Sequence, residues 1–250
     1  MTVLFDRVNL DQDKVILSCG WKAAALYYFL WRRGRITEEE LNSYCGLCDK
    51  CLGTGFWDQY GRRDAACPKC NGSKQSKFIG LTEPIIPEIP FSGGSMGMGF
   101  PAAVGFALAK KLKGERGTIY CLMSDGEMQC GTTWESALIA SRYNLDNLKV
   151  IVDRNFFQAM GKTEDILPID YADSLKSKWE FFGWQVDECD GHNFEGLWWV
   201  VHQSYSATPS VAICKTTKGK GVSFMENNND FHYLHINKED YEKAKKELFQ

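Results

Sequence analysis

The chain has 250 residues, of which 44% are hydrophobic and 24% charged, and its formal net charge is -3. This length can bury one large core or two small ones, and the composition is ordinary for a globular protein. The slight negative charge gives no support for nucleic acid or an anionic membrane surface as a partner. The sequence shows neither a signal-peptide pattern nor a membrane-spanning apolar run, so we expect a cytoplasmic protein.

The first predicted elements are a short strand over 15–17 and an apolar helix that begins near residue 22. Between them lies the stretch SCGW, from Ser18 to Trp21, with the small Gly20 at its centre. A turn from a strand into a helix is a place where a chain can meet a ligand. None of these four side chains, however, is an obvious acid, base or phosphate-binding group.

Residues 42–80 lack apolar periodicity and are predicted to form an insertion, rich in cysteine and glycine, between helical segments. Two Cys-x-x-Cys-x-Gly units contain Cys48, Cys51, Cys67 and Cys70, with fifteen residues between Cys51 and Cys67. Four thiolates at this spacing suit a structural Zn²⁺ with no open coordination position. The local motif resembles the zinc modules of J-domain chaperones. Cys45 is a spare fifth thiol, and a disulfide framework is disfavoured in a reducing compartment.

From residue 118 onward, predicted strands and helices alternate. The strands are predicted over 118–123, 147–153, 184–187 and 210–215, and the helices over 132–143, 174–182, 194–204 and 237–250, the last with Asn237 as N-cap. The alternation predicts an α/β fold, a parallel sheet with helices on both faces. Because such sheets bind ligands at the carboxyl ends of their strands, chemistry is expected just after Met123, Val152, Val186 and Cys214.

Oxygen-bearing side chains follow two of these strands. Asp125 and Gly126 come after the strand over 118–123, and Asn155 comes after the strand over 147–153. A carboxylate and an amide oxygen on adjacent strand ends suit Mg²⁺, and Gly126 would let the backbone approach a phosphate closely. A capping aspartate and a turn asparagine would give the same residues, so the spacing alone leaves both interpretations open.

Several motifs then occur in a fixed order: ILS, GSMGMG, DG, WE, NL, DRN, GKTED, FGW, DGHN and KTTKGKGVSFMENN. Together they resemble the thiamine diphosphate signature of transketolases, and specifically the separately encoded N-terminal subunit of two-component transketolases. The resemblance covers most of the chain outside residues 42–80. It implies one thiamine diphosphate-binding domain over 1–250 that carries the zinc-binding insertion.

The resemblance also implies a cofactor site. The Mg²⁺ ligands would be the side chains of Asp125 and Asn155 and the backbone carbonyl of Phe157. The remaining cofactor contacts would come from Gly94 and Met96 at the aminopyrimidine ring, and from Gly126, Lys218 and His232 at the diphosphate. Without the resemblance, a surface histidine in a polar loop would be the preferred interpretation of His232.

In this family the cofactor lies between two domains, and a glutamate on the second domain activates the aminopyrimidine. From the resemblance, we expect these 250 residues to hold only the diphosphate-binding half. The resemblance therefore implies an obligate partner, a C-terminal pyrimidine-binding subunit, with both subunits doubled in a heterotetramer.

The chain departs from the family at the reaction centre. Trp21 stands where the family has the histidine of Ser-x-Gly-His, and Leu81 stands where it has a second histidine. Ser124 precedes Asp125 where many relatives have glycine, and Cys130 stands where a glutamate is usual. A sugar hydroxyl buried without a partner costs about 1–3 kcal/mol, so these losses favour a small or less polar donor such as pyruvate. Other residues, or the partner, could instead supply the lost contacts.

We therefore expect a transferase that moves a two-carbon unit from a ketone or 2-oxo donor to an aldehyde or ketone acceptor. His232 and Trp21 are the candidate catalytic residues at its reaction centre. Two alternatives remain open. One is an acyloin-type acetyl transferase that decarboxylates pyruvate, and the other is a non-catalytic, zinc-dependent scaffold that kept the fold.

Overall fold

A computed structural model describes residues 1–46, 78, 80–170, 174–234 and 236–249. The four cysteines of the predicted zinc site, Cys48, Cys51, Cys67 and Cys70, lie outside the described residues. The two ends of the predicted insertion are described, and the backbone N–H of Cys45 donates to the carbonyl of Phe78 at 2.8 Å. The described residues on either side of the predicted insertion therefore lie close together.

The described residues form α-helices, β-strands and short 3₁₀ helices. The helices are α1 Thr2–Arg7, α2 Ala23–Arg32, α3 Glu38–Asn42, α4 Gly99–Lys113, α5 Gly131–Arg142, α6 Thr163–Ile166, α7 Leu175–Phe181, α8 Phe194–His202 and α9 Lys238–Leu248. The strands are β1 Lys14–Leu17, β2 Ile119–Ser124, β3 Leu148–Arg154, β4 Phe157–Gln158, β5 Gly161–Lys162, β6 Gln185–Asp190 and β7 Ser210–Lys215. The 3₁₀ helices cover Gly20–Lys22, Asp125–Gln129 and Asn229–His232.

Five strands form one sheet in the order β1-β2-β3-β7-β6, and every neighbouring pair is parallel. The sheet is buried on both faces, which is why β2 is apolar at successive positions rather than at alternate ones. Ile119, Cys121 and Met123 pack into a core with α4, α5 and α7. Tyr120 and Leu122 pack on the opposite face with α1, α2 and α8. The predicted parallel sheet with helices on both faces is confirmed.

The predicted elements after residue 118 are present, most of them within one or two residues of their expected ends. The strand predicted over 184–187 continues to Asp190, and the helix predicted over 194–204 ends at His202. Asn237 caps α9 as expected, since its Oδ1 accepts the backbone N–H of Asp240 at 2.9 Å. In the part of the chain that the structure describes, no helix is long and apolar enough to cross a membrane.

Candidate functional site

Asp125 lies at the carboxyl edge of the sheet, as the first residue of the 3₁₀ helix that follows β2, and it is fully buried. Its Oδ1 accepts the N–H of Gly126 at 2.8 Å, and its Oδ2 accepts the N–H of Phe156 at 2.7 Å. None of the described lysines or arginines forms an ion pair with it. Burial raises the pKa of Asp125 to about 6, although the two backbone amides oppose that rise. Asp125 is thus a buried carboxylate without a paired lysine or arginine among the described residues.

Asn155 directly follows β3. This strand lies beside β2, with Ser124 paired to Asp153 in the sheet register. Its Oδ1 accepts the N–H of Phe157 at 2.9 Å. Between them Phe156 has a φ of 67°, a left-handed conformation that is uncommon for a bulky residue. This bend lets one short loop bond to both Asp125 and Asn155. Hard oxygen atoms on adjacent strand ends form a donor set that suits Mg²⁺.

Gly126 is closely surrounded. A Cβ at this position would lie 3.2 Å from Oε1 of Gln158 and 3.5 Å from Sδ of Met96. Gln158 is itself buried, and its Nε2 has no hydrogen-bond partner. A buried amide without an acceptor is costly, and a phosphoryl oxygen over Gly126 would supply one. Gln158 is a candidate residue that the sequence pattern did not reveal.

The SCGW turn packs on the glycine-rich segment that contains Gly94 and Met96. A Cβ on Gly20 would lie 2.4 Å from the carbonyl oxygen of Gly93, so only glycine fits there. A Cβ on Gly94 would lie 3.4 Å from Cδ1 of Leu81. Leu81 therefore stands beside the backbone expected to contact the aminopyrimidine ring, and it presents a methyl group there. Met96 is 41% exposed.

Glu127 is a second buried carboxylate, and the sequence pattern gave it no role. Its Oε1 accepts the hydroxyl of Ser18 at 2.5 Å and the N–H of Gly97 at 3.0 Å. Its Oε2 accepts the N–H of Ser124 at 2.9 Å. Glu127 thus joins the end of β1, the glycine-rich segment and the end of β2. The Ser-x-x-Glu spacing from Ser124 could have indicated the local part of this network.

Trp21 and Lys22 are neighbours in the 3₁₀ helix Gly20–Lys22, but their side chains lie in different environments. Trp21 is 60% exposed. The Nζ of Lys22 lies 3.1 Å from Oδ2 of Asp153, and the hydroxyl of Thr216 donates to Oδ1 of Asp153 at 2.6 Å. Burial opposes both charges, but their attraction prevails: the pKa of Lys22 is raised and that of Asp153 is lowered.

His232 ends the 3₁₀ helix Asn229–His232 and is half-buried. Its pKa is lowered, first by burial and then by the positive charges of Lys218 and Lys22. The pKa of Lys218 is also lowered, by burial and by repulsion from Lys22, while Asp153 opposes the shift. Three basic side chains therefore share one neighbourhood at the sheet edge.

The structure thus brings most of the expected site residues to one edge of the sheet. Asp125, Gly126, Asn155, Phe157 and Met96 are linked by the contacts described above. Lys218 and His232 lie near each other. Among the described residues, no group of three or more histidine, cysteine, aspartate or glutamate side chains could hold a metal ion. A cation at Asp125 would therefore rely on amide, carbonyl, water or phosphate oxygens for its other ligands.

The comparisons with known proteins name the class to which this fold and site belong. Residues 75–249 match the family described as transketolase, thiamine diphosphate binding domain. The chain therefore belongs to the transketolase family and has its thiamine diphosphate-binding domain. It is the diphosphate-binding subunit of a split transketolase-like enzyme, a thiamine diphosphate-dependent transferase, which confirms the family expected from the sequence.

Two relatives show the subunit type. The chain is 40% identical over 244 residues to an apulose-4-phosphate transketolase subunit of Actinobacillus succinogenes, covering 97% of this chain and 78% of the relative. It is 32% identical over 240 residues to a 6-deoxy-6-sulfo-D-fructose transketolase subunit of a Clostridium species, covering 95% of this chain and 77% of the relative.

Solved transketolases share the fold. The transketolase of Campylobacter jejuni superposes with a TM-score of 0.76 at 25% identity, covering 99% of this chain. The transketolase of Leishmania mexicana gives a TM-score of 0.73 at 21% identity, covering 98% of this chain. This chain spans only 37% and 34% of those two longer chains.

Proposed function

We propose that this chain works with a pyrimidine-binding partner subunit to transfer a two-carbon unit from a ketose donor to an aldehyde acceptor. The observation that carries the proposal is the edge where β2 and β3 end. There Asp125, a buried carboxylate without a paired lysine or arginine among the described residues, lies beside an amide oxygen and a closely surrounded glycine. This edge suits a metal ion and a diphosphate, which are the polar parts of the cofactor.

The residues present fit Mg²⁺ and thiamine diphosphate. Asp125 and Asn155 would hold Mg²⁺ through their side chains, and Phe157 through its carbonyl. The Mg²⁺ charge would compensate the buried carboxylate of Asp125. When bound, thiamine diphosphate supplies a nucleophilic carbon that breaks and forms carbon–carbon bonds next to a carbonyl group.

The chain's own residues would position that cofactor. Gly126 would let a phosphate approach the backbone, and Gln158 would donate to it. Lys218 would face the diphosphate with a full positive charge, and His232 would face it as a neutral hydrogen-bond donor. Gly94 and Met96 would contact the aminopyrimidine ring through their backbone. Because the pKa of His232 is lowered, its ring is neutral at pH 7 and can accept or donate a proton.

A partner is part of the proposal. Two similar proteins are named as transketolase subunits, and such a name implies a second subunit. Exposed apolar side chains border the candidate site: Met96, Met98, Phe156 and Met160 are between 37% and 75% exposed. They give the partner an apolar surface to cover. We propose a heterotetramer with two copies of each subunit. The cytoplasmic location expected from the sequence stays a prediction.

A second candidate function is acetyl transfer from pyruvate with release of carbon dioxide. The observation that favours it is the apolar surface at Leu81, which lies beside Gly94. Trp21 lies in the SCGW turn, which packs on the same glycine-rich segment, and it is 60% exposed. The named substrates of the two relatives, a sugar phosphate and a sulfo-sugar, favour the ketose donor instead.

The zinc-binding insertion also remains a proposal and rests on the sequence alone. Cys48, Cys51, Cys67 and Cys70 would hold one structural Zn²⁺ in a small module beside the site. The backbone hydrogen bond from Cys45 to Phe78 joins the described residues on either side of this segment.

The donor can be tested with the assembled complex, supplied with thiamine diphosphate and Mg²⁺. Ketose phosphate cleavage and carbon dioxide release from pyruvate are measured side by side, with the Asp125→Ala complex as the inactive control. Ketose cleavage with an aldehyde acceptor is expected. Carbon dioxide release without ketose cleavage would favour the second candidate, and neither reaction in a cofactor-loaded complex would overturn both.

A further inference from the structure

Lys22 directly follows the SCGW turn, and its side chain is more buried than that of Trp21. The side chain is 24% exposed in the isolated subunit, whereas the neighbouring Trp21 is 60% exposed. Lys22 places its ammonium group at the carboxyl edge of the sheet, 3.1 Å from Oδ2 of Asp153. The polar group missing at Trp21 is available one residue later.

Asp153 holds Lys22 in a defined place. Its two carboxylate oxygens are both used, one by Lys22 at 3.1 Å and the other by the hydroxyl of Thr216 at 2.6 Å. Lys22 follows β1, Asp153 lies near the end of β3, and Thr216 follows β7. The ion pair and the hydrogen bond from Thr216 thus join residues at three strand ends. An ammonium group has three hydrogen-bond donors, so two remain for a ligand after the bond to Asp153.

Lys22 is one of several basic side chains at this edge. Lys218 lies close enough to Lys22 for repulsion to lower its pKa, and His232 feels both lysines. In the described part of the chain Lys218 has no carboxylate within ion-pairing distance, and Asp153 is already bonded to Lys22 and Thr216. Two ammonium groups therefore lie at this edge, of which Lys22 is paired with Asp153 and also interacts with the buried carboxylate of Glu127. Lys218, which has no such partner among the described residues, and the remaining donors of Lys22 suit an anion.

We propose that Lys22 binds a phosphoryl oxygen of the ligand at this edge, together with Lys218 and His232. The proposal rests on the proposed function. Two sources have the same chemistry, the diphosphate of the cofactor and the phosphate of a sugar phosphate donor. In either case Asp153 is a positioning residue, which fixes the Lys22 ammonium before the ligand arrives.

The experiment uses the assembled complex and three variants of this subunit: Lys22→Met, Lys22→Arg and, as matched control, Lys113→Met. Lys113 lies at the end of α4, is 69% exposed and pairs only with Glu115. The first measurement is the dissociation constant of thiamine diphosphate in the presence of Mg²⁺. The second is the KM for a phosphorylated donor and for the same donor without phosphate, in complexes saturated with cofactor.

If the oxygen belongs to the cofactor, Lys22→Met weakens thiamine diphosphate binding about tenfold or more, as loss of a charge-assisted hydrogen bond predicts. If it belongs to the donor, the cofactor dissociation constant is unchanged. The KM then rises about tenfold for the phosphorylated donor only. In both cases Lys22→Arg restores most of the loss, and Lys113→Met behaves as wild type.

The proposal is overturned if Lys22→Met changes neither quantity, or if Lys113→Met has the same effect. Thermal unfolding and partner association of each variant are measured first. Should Lys22→Met fail to assemble, Lys22→Gln, which keeps a polar side chain of similar size, is measured in its place with the same two outcomes. A wild-type complex that does not bind thiamine diphosphate contradicts the proposed function. If the wild-type complex binds thiamine diphosphate and the Lys22 variants behave as wild type, only this proposal is contradicted.

Discussion

Two buried carboxylates, two residues apart, show how a functional residue differs from a structural one in this protein. Glu127 accepts three hydrogen bonds from Ser18, Gly97 and Ser124, so its partners are complete within the chain. Asp125 accepts only two backbone amides and has a pKa raised to about 6 by burial. Burial without full compensation is unfavourable for folding and is typical of a site completed by a ligand.

The contrast predicts opposite effects of neutral substitutions on the subunit without cofactor. Asp125→Asn removes a buried charge and should leave the free energy of unfolding unchanged or raise it by about 1 kcal/mol. Glu127→Gln breaks a buried network and should lower that free energy by about 1–3 kcal/mol. Urea unfolding at pH 7.5 measures both. A larger decrease in the free energy of unfolding for Asp125→Asn than for Glu127→Gln would contradict this account.

His232 gives a prediction about pH. Its lowered pKa means that, just below pH 6.5, the folded chain binds fewer protons at this ring than the unfolded chain. Its contribution to stability is therefore present above about pH 6.5 and is lost as the pH falls. NMR titration should give a midpoint below 6.5 for the histidine signal that disappears in His232→Gln. A midpoint above 6.5 would show that the ring is not in the described environment.

The sequence predicted Asp125 and Asn155 as site residues because both directly follow apolar strands, and parallel strands end at one edge of a sheet. Glu127, Gln158 and Lys22 were not identified because their roles depend on remote partners. The hydroxyl that Glu127 accepts belongs to Ser18, 109 residues away in sequence. The sequence identifies Trp21 as a departure from the family, but it does not show that the lysine after it is largely buried.

At the level of elements, the end of α8 illustrates a tertiary effect on a helix boundary. The buried Nζ of Lys149, on β3, donates to the carbonyls of Val200 at 3.2 Å, Val201 at 2.9 Å and Gln203. The last carbonyls of a helix lack partners within it, and a cation there is favourable. The apolar pattern predicted a helix to residue 204. The observed end at His202 depends on a lysine about fifty residues earlier in the chain.

Lys149→Met should therefore destabilise the subunit. The substitution keeps the length of the side chain but leaves three carbonyl acceptors without their donor, and we expect a loss of about 1–3 kcal/mol in the free energy of unfolding. Lys176→Met, at an exposed position on α7 that pairs only with Glu180, is the control and should change it by less than about 0.5 kcal/mol. Equal effects of the two substitutions would contradict the proposed capping role.

For the whole molecule, the sequence predicted the sheet well because its central strands are continuous apolar runs that can only be buried on both faces. It did not predict α4, which carries Gly99, Pro101 and Gly105. A Cβ on Gly99 would lie 2.3 Å from Cα of Ser18, so this helix begins with a glycine for a tertiary reason.

The cysteine insertion can be tested by metal analysis. The purified subunit should contain one zinc ion per chain, and Cys48→Ser or Cys70→Ser should abolish it, because three thiolates bind zinc more weakly than four. Cys45→Ser is the matched control and should retain the metal, since Cys45 lies outside the two Cys-x-x-Cys units. Zinc that persists in both knuckle variants, or that is absent from the wild type, would refute the zinc proposal.

The central claim is that this chain holds the diphosphate end of thiamine diphosphate through Mg²⁺ and needs a second subunit to complete the site. Equilibrium dialysis of thiamine diphosphate against the isolated subunit, and against the assembled complex, each with and without Mg²⁺, tests this directly. We predict tight binding only in the complex with Mg²⁺, and a loss of about 100-fold or more in Asp125→Ala. Equal binding without Mg²⁺, or unchanged binding in Asp125→Ala, would contradict the account.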